Sequence, residues 1–311
     1  MPRFGWHKDR WDERDFIGVR KYMARFGWAK DARDTNDFLH PTMRLAKLPE
    51  SIDLSAFLPA VRDQGNVGSC TGHGIGAIVT ATYIQQKSNP EWESPTWIYN
   101  LGRMVEGTLS WDAGAQPRDC LDQLVKLGLL KEHFWPYDPS KFDKNQPNTA
   151  QLAAALKWAD FKYYRCVDGV DGISSALADG HVVSIGAPWF DKWMTPGPDG
   201  LLAVVSAVDA IDGGHETCLY GYNQTEQVFL GMNSWGTGWG KSGFYKMPFS
   251  ALDVFKQSTG YDAHYVMFTP TPVPAPTPTP TPTPTPGPGC LTAPLAWPAG
   301  IFRKMFKLTS W

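Results

Sequence analysis

The chain has 311 residues and sets 29 Lys and Arg against 31 Asp and Glu, a formal net charge of −2. That balance offers no basic field to a phosphate backbone, so no nucleic-acid partner is expected. Apolar residues reach 42%, enough for a substantial core, but no apolar run approaches the roughly 20 residues of a membrane-spanning helix.

The N-terminus, Met1-Pro-Arg-Phe-Gly-Trp-His-Lys-Asp9, is charged where a secretory leader is apolar. No signal peptide is expected, and a cytoplasmic or virion-associated location is favoured over Sec secretion. Residues 1–47 read as a duplicated arm. Arg3 to Phe16 recurs as Arg25 to Phe38, with Phe-Gly-Trp, Lys-Asp and a closing Asp-Phe repeated. Two units are too few for a solenoid, so Trp6 and Trp28 read as anchors of a pro-segment or docking arm. Residues 48–269 form the body. Its first half predicts helices over Thr71–Gln86, Asp119–Leu130 and Thr149–Ala159. Its second half predicts strands over His181–Ala187, Thr217–Tyr222, Gln227–Met232 and Gly243–Met247. Helices ahead of strands imply an α+β protein, with two lobes. Alternate prolines from Pro270 to Pro288 make residues 270–289 a stiff extended linker. Residues 290–311 follow as a tail. On a helix, Ile301, Met305 and Leu308 would share one face, with Arg303, Lys304 and Lys307 elsewhere. Either this tail or the arm is expected to dock onto an assembly partner.

Five cysteines, at 70, 120, 166, 218 and 290, are odd in number and widely spaced, which does not suit a disulfide framework. Cys70 lies in Asp63-Gln-Gly-Asn-Val-Gly-Ser-Cys70, where a glycine-rich turn enters a helix. The positive end of a helix dipole favours thiolate there. A thiolate nucleophile needs a base. His215 opens one predicted strand, and the next ends at Asn233, which can fix the imidazole tautomer from an antiparallel neighbour. Cys70-x-x-His73 and His215-x-x-Cys218 superficially resemble a zinc set. An i, i+3 pair on a strand points to opposite faces, so no metal is expected. No phosphate loop, paired-carboxylate signature or dinucleotide fingerprint appears, and no cofactor is expected.

Asp63-Gln-Gly…Gly-Ser-Cys70, Gly213-Gly-His215 and Asn233-Ser-Trp-Gly-Thr-Gly-Trp-Gly240 together resemble the papain-like cysteine peptidases, in order, over roughly Leu48 to Phe268. The block from Val105 to Asp119, with Trp135-Pro-Tyr137, resembles a bacterial and viral branch. The resemblance implies an α+β papain-like fold of a helical lobe and an antiparallel β-barrel-like lobe with a cleft between them. It also implies an endopeptidase acting on peptide or protein substrates. Cys70 would be the nucleophile, His215 the base, Asn233 its orienter, and Gln64 with the Cys70 N–H the oxyanion hole. Trp235 would shield the Asn–His bond. Asp112, Ala113, Gly114, Ala115 and Gly214 would line the substrate. Glu216, Met232 and Thr71-Gly72-His73 depart from the usual pattern without removing a catalytic group. A second reading stays open: a peptidase-shaped adaptor of a larger assembly, such as a phage particle, with an idle or arm-blocked cleft.

Overall fold

The computed structural model describes residues 27–31, 48–86, 91–155 and 161–268. The chain divides into a unit spanning Met1–Val273 and a second spanning Pro274–Trp311. The Thr-Pro linker, the tail and most of the arm lie outside the described residues.

Helix α1, Cys70–Gln85, starts within a residue of its expected position. It is small and apolar around its whole circumference and buried along nearly all its length. Tertiary packing on every side therefore stabilises it, rather than one amphipathic face. Helix α2, Pro95–Val105, was not anticipated, although its start carries two local signals. The Ser94 Oγ accepts the Trp97 N–H at 3.1 Å, and Pro95 occupies the first turn. Helix α3, Pro117–Leu127, ends three residues before the expected Leu130. Gly128 takes φ +100°, and its N–H bonds to the Leu124 carbonyl at 2.9 Å. A glycine at this position lets the chain leave the helix without strain. Helix α4, Thr149–Ala154, opens with a reciprocal Asn148–Gln151 cap and stops where Ala155 becomes extended.

The strands are β1 (Ser51–Asp53), β2 (Lys162–Arg165), β3 (Val183–Phe190), β4 (Ile211–Asn223), β5 (Val228–Met232), β6 (Phe244–Pro248) and β7 (Asp262–Met267). All pairs are antiparallel, in the order β2-β7-β3-β4-β5-β6, with β1 beside β4. The path does not close as a barrel would. The outer edge of β6 bonds instead to a loop: the Leu202 N–H donates to the Lys246 carbonyl, and the Lys246 N–H to the Gly200 carbonyl, both at 2.9 Å. Helices α5 (Val170–Ala178) and α6 (Ala251–Gln257) fall among the strands, so helices and strands are not strictly segregated along the chain.

Two apolar clusters fill the body. One joins α1, α2 and α3; the other packs the sheet against α5 and α6. The expected α+β, two-lobed architecture is present, and Cys70, at the start of α1, packs with Trp28 apart from both clusters.

Candidate active site

The turn before α1 is held from several sides. Gln64 donates its backbone N–H to the Ser234 carbonyl at 2.8 Å and its Nε2 to the Val67 carbonyl at 2.9 Å; its Oε1 accepts the Ser234 hydroxyl at 2.6 Å. The Gly68 N–H donates to Asp112 Oδ2 at 2.8 Å. Asp112 Oδ1 accepts the Tyr99 hydroxyl at 2.6 Å, and the Tyr99 oxygen accepts the Gly114 N–H at 3.0 Å. The loops carrying Gln64 and Asp112–Ala115 thus form one bonded frame around the start of α1.

His215 lies in β4, and Asn233 directly follows β5. The two strands are in register, with Cys218 opposite Met232. His215 Nε2 is 2.7 Å from Asn233 Oδ1, which also accepts the Ser234 N–H at 2.7 Å. An amide oxygen accepts but cannot donate, so Nε2 carries the imidazole proton and Nδ1 is the basic nitrogen. Trp235 stacks on the imidazole at 4.6 Å between centroids, and Trp189 meets it edge-on at 4.8 Å. Both rings pack against the His215 imidazole; Trp189 was not anticipated. Cys70 Sγ accepts the backbone N–H of Glu216 at 3.2 Å, so the thiol sits against β4 one residue from His215. The Glu216 side chain is fully buried.

Residues 27–31 of the arm occupy this site. The Ala115 N–H donates to the Gly27 carbonyl at 2.8 Å, and the Ala29 N–H to the Ala115 carbonyl at 3.1 Å, a parallel bridge centred on Trp28. The Thr71 hydroxyl adds a bond to Gly27 O at 2.9 Å. The Trp28 indole is fully buried and packs on Cys70. Its other neighbour is Gly186 of β3, where a Cβ would lie 2.0 Å from Trp28 Nε1. Only glycine leaves room for the ring. In the sheet, Gly186 pairs with Glu216 on one side and Asp262 on the other, and laterally paired residues share a face.

Burial decides the electrostatics. It pushes the Cys70 thiol well above its ordinary value, and the nearby Glu216 carboxylate pushes the same way. Burial lowers the His215 imidazole to about 3, against the opposing Asn233 bond. The thiolate expected from the helix dipole is therefore disfavoured with the arm on the site, because desolvation outweighs a partial charge. Burial likewise raises Glu216 well above the carboxylate range, with Asp31 adding to it.

Asp31 anchors the arm beyond Trp28. Its N–H donates to Asp262 Oδ2 at 2.8 Å, and its Oδ1 accepts the Arg118 N–H at 2.9 Å. His264 Nε2 stands 3.5 Å from Oδ2, and Arg165 bonds Asp262 Oδ1 at 2.9 Å. Burial, then Asp262, raise the Asp31 carboxyl well above its ordinary value; burial raises Asp262 to about 6. A docked Asp31 holds its proton more tightly than a solvated one. Docking is therefore strongest below the ordinary carboxylate range and weakens as pH rises above it. The ratio of Cys70 alkylation rates, full chain over Asp31→Asn, should rise from about pH 4 to about pH 8. A ratio independent of pH contradicts this.

Of the expected substrate-lining residues, Ala115 bonds the arm directly, whereas Asp112 and Gly114 support the frame. Gly214 is buried in β4 opposite Pro188. Ala113 is half-buried between Asp112 and Gly114.

The sequence model of the papain family cysteine proteases matches residues 48–251, more than half of the chain. An uncharacterised peptidase C1-like protein of Acanthamoeba polyphaga mimivirus is 33% identical over 197 residues, 60% of this chain and 63% of that protein. Cysteine proteinase 1 of Entamoeba histolytica is 26% identical over 196 residues, 60% of this chain and 59% of that one. The chain thus spans somewhat under two thirds of these relatives. Among solved structures, xylellain, a cysteine protease from Xylella fastidiosa, superposes with a TM-score of 0.69 at 25% identity, covering 80% of this chain and 98% of its own. Digestive procathepsin L 3 of Tenebrio molitor shares the fold, with a TM-score of 0.61 at 19% identity over 82% of this chain and 79% of that one. With these matches and the Cys70, His215 and Asn233 geometry, the chain belongs to the papain family of cysteine proteases.

Proposed function

We propose that this chain is a cysteine endopeptidase held latent by its own N-terminal arm. The observation carrying the chemistry is the His215–Asn233 bond at 2.7 Å beside the Cys70 thiol of α1, whose sulfur accepts the N–H of Glu216, the residue after His215. Once the cleft opens, the Cys70 proton passes to His215 Nδ1, and the thiolate attacks the substrate carbonyl. The oxyanion is held by the Cys70 N–H and Gln64 Nε2. His215 returns the proton to the leaving amine as the C–N bond breaks. Water, deprotonated by His215, then hydrolyses the thioester. The room over Gly186 that accepts an indole favours substrates with a large aromatic residue opposite Ala115.

Fluorogenic peptides test this with the full chain carrying Trp28→Ala. Turnover should vanish with Cys70→Ala added, and turnover that survives it contradicts the reading. Gln64→Ala in the same background should lower kcat by about 10²–10³, the usual loss for an oxyanion donor. Unchanged kcat removes Gln64 from the hole.

The plug itself favours a second reading, an idle peptidase-shaped adaptor whose arm is a permanent structural element. That reading predicts no turnover even after Trp28→Ala.

A further inference from the structure

The Trp135-Pro-Tyr137 segment has no part in the chemistry just described, yet its tyrosine reaches the loop that carries both oxyanion donors. The Tyr137 hydroxyl donates to the Gln64 carbonyl at 2.7 Å. Its oxygen is also 2.7 Å from Ser69 Oγ. A carbonyl only accepts, so the tyrosine proton goes to Gln64 and the serine hydroxyl donates to tyrosine. One phenol therefore bridges the residue bearing the side-chain donor and the residue immediately before Cys70, whose N–H is the second donor. His73, one turn into α1, supports the bridge. Its Nδ1 lies 3.0 Å from the Ser69 carbonyl and must carry the proton there, and its ring meets Tyr137 edge-on at 4.5 Å. Burial lowers this imidazole to about 4, so it serves as a neutral donor.

We propose that Tyr137 is a positioning residue for the oxyanion hole, setting the spacing between Gln64 Nε2 and the Cys70 N–H through its bridge from Gln64 O to Ser69 Oγ. Oxyanion donors act by being fixed in place before charge develops. Loosening the frame should therefore cost transition-state stabilisation and leave ground-state binding alone. This rests on the acyl-transfer reading above.

Tyr137→Phe removes the hydroxyl and keeps the ring. In the full chain carrying Trp28→Ala, it should lower kcat by about fivefold to tenfold, the worth of one hydrogen bond, with KM within about twofold. With Gln64→Ala also present, the same substitution should change kcat by less than about twofold, because its effect runs through Gln64. Ser69→Ala, which removes the other half of the bridge, should show the same coupling if Tyr137→Phe folds poorly. Alkylation of Cys70 by iodoacetamide forms no oxyanion and should keep its rate. Equal losses with and without Gln64, or a change confined to KM, would overturn the assignment while leaving the peptidase reading intact. A Trp28→Ala parent that turns over no peptide overturns both.

Discussion

Replacing Trp28 by Ala should raise the alkylation rate of Cys70 in the full chain by roughly 10²–10⁴. Truncating a fully buried tryptophan costs about 3–5 kcal/mol, and each 1.4 kcal/mol is tenfold in an equilibrium constant. Among the described residues of the arm, Trp28 is the largest fully buried side chain, and it packs on Cys70. The backbone bonds of Gly27 and Ala29 to Ala115 and those of Asp31 remain possible after truncation, so the arm is weakened rather than lost. Gly186→Ala approaches the same contact from the opposite side. Its Cβ would fall 2.0 Å from Trp28 Nε1, so this substitution should also raise the rate. If both variants alkylate no faster than the parent, Trp28 does not gate the thiol.

The second large effect concerns His215. In the Trp28→Ala background, His215→Ala should lower kcat/KM by about 10⁴–10⁶, the range set by loss of a general base that acts as one unit with its nucleophile. In the proposed mechanism the imidazole takes the thiol proton and returns it to the leaving amine. Asn233 holds its Nε2–H, and Trp235 and Trp189 cover that bond. Burial holds this imidazole at about 3, and in the proposed mechanism water entering an opened cleft is expected to relieve part of that burial and raise it. A loss smaller than about tenfold would mean that another group carries the proton.

The candidate site was legible because its signals are local and dense. A glycine-rich turn before Cys70 and the Gly- and Trp-rich stretch after Asn233 mark their own positions. The helix from Cys70 and the Thr217–Tyr222 part of β4 followed from composition; the strand itself begins earlier, at Ile211, and so takes in His215. Elements with weak local patterns were missed. Strand β7 is buried at five consecutive positions and shows no alternation. Helix α5 follows Gly169 at φ +66° and contains Gly172, both of which weaken a helical pattern. The thiol expectation failed for a different reason: a helix-start argument cannot see what covers the sulfur. Trp28 and Trp6 are equivalent within the repeat. The contact of Trp28 with Gly186 joins residues far apart in sequence and has no pattern of its own. The aromatic belt around His215 likewise needs Trp189, which β3 brings beside β4 only through sheet pairing.

Mass spectrometry after labelling with an epoxide or vinyl-sulfone thiol reagent reads directly whether Cys70 is the nucleophile that His215 activates and Trp28 covers. Cys120, Cys166 and Cys218 are buried, and burial raises all three thiols, the last two to about 12, so they compete poorly. Cys290 lies outside the described residues and is replaced by Ser as a control. In the full chain carrying Trp28→Ala and Cys290→Ser, a single adduct mapped to Cys70 is expected, formed slowly without Trp28→Ala and not at all with His215→Ala. An adduct that forms at the same rate in the Cys70→Ala chain, or that ignores His215, would contradict it.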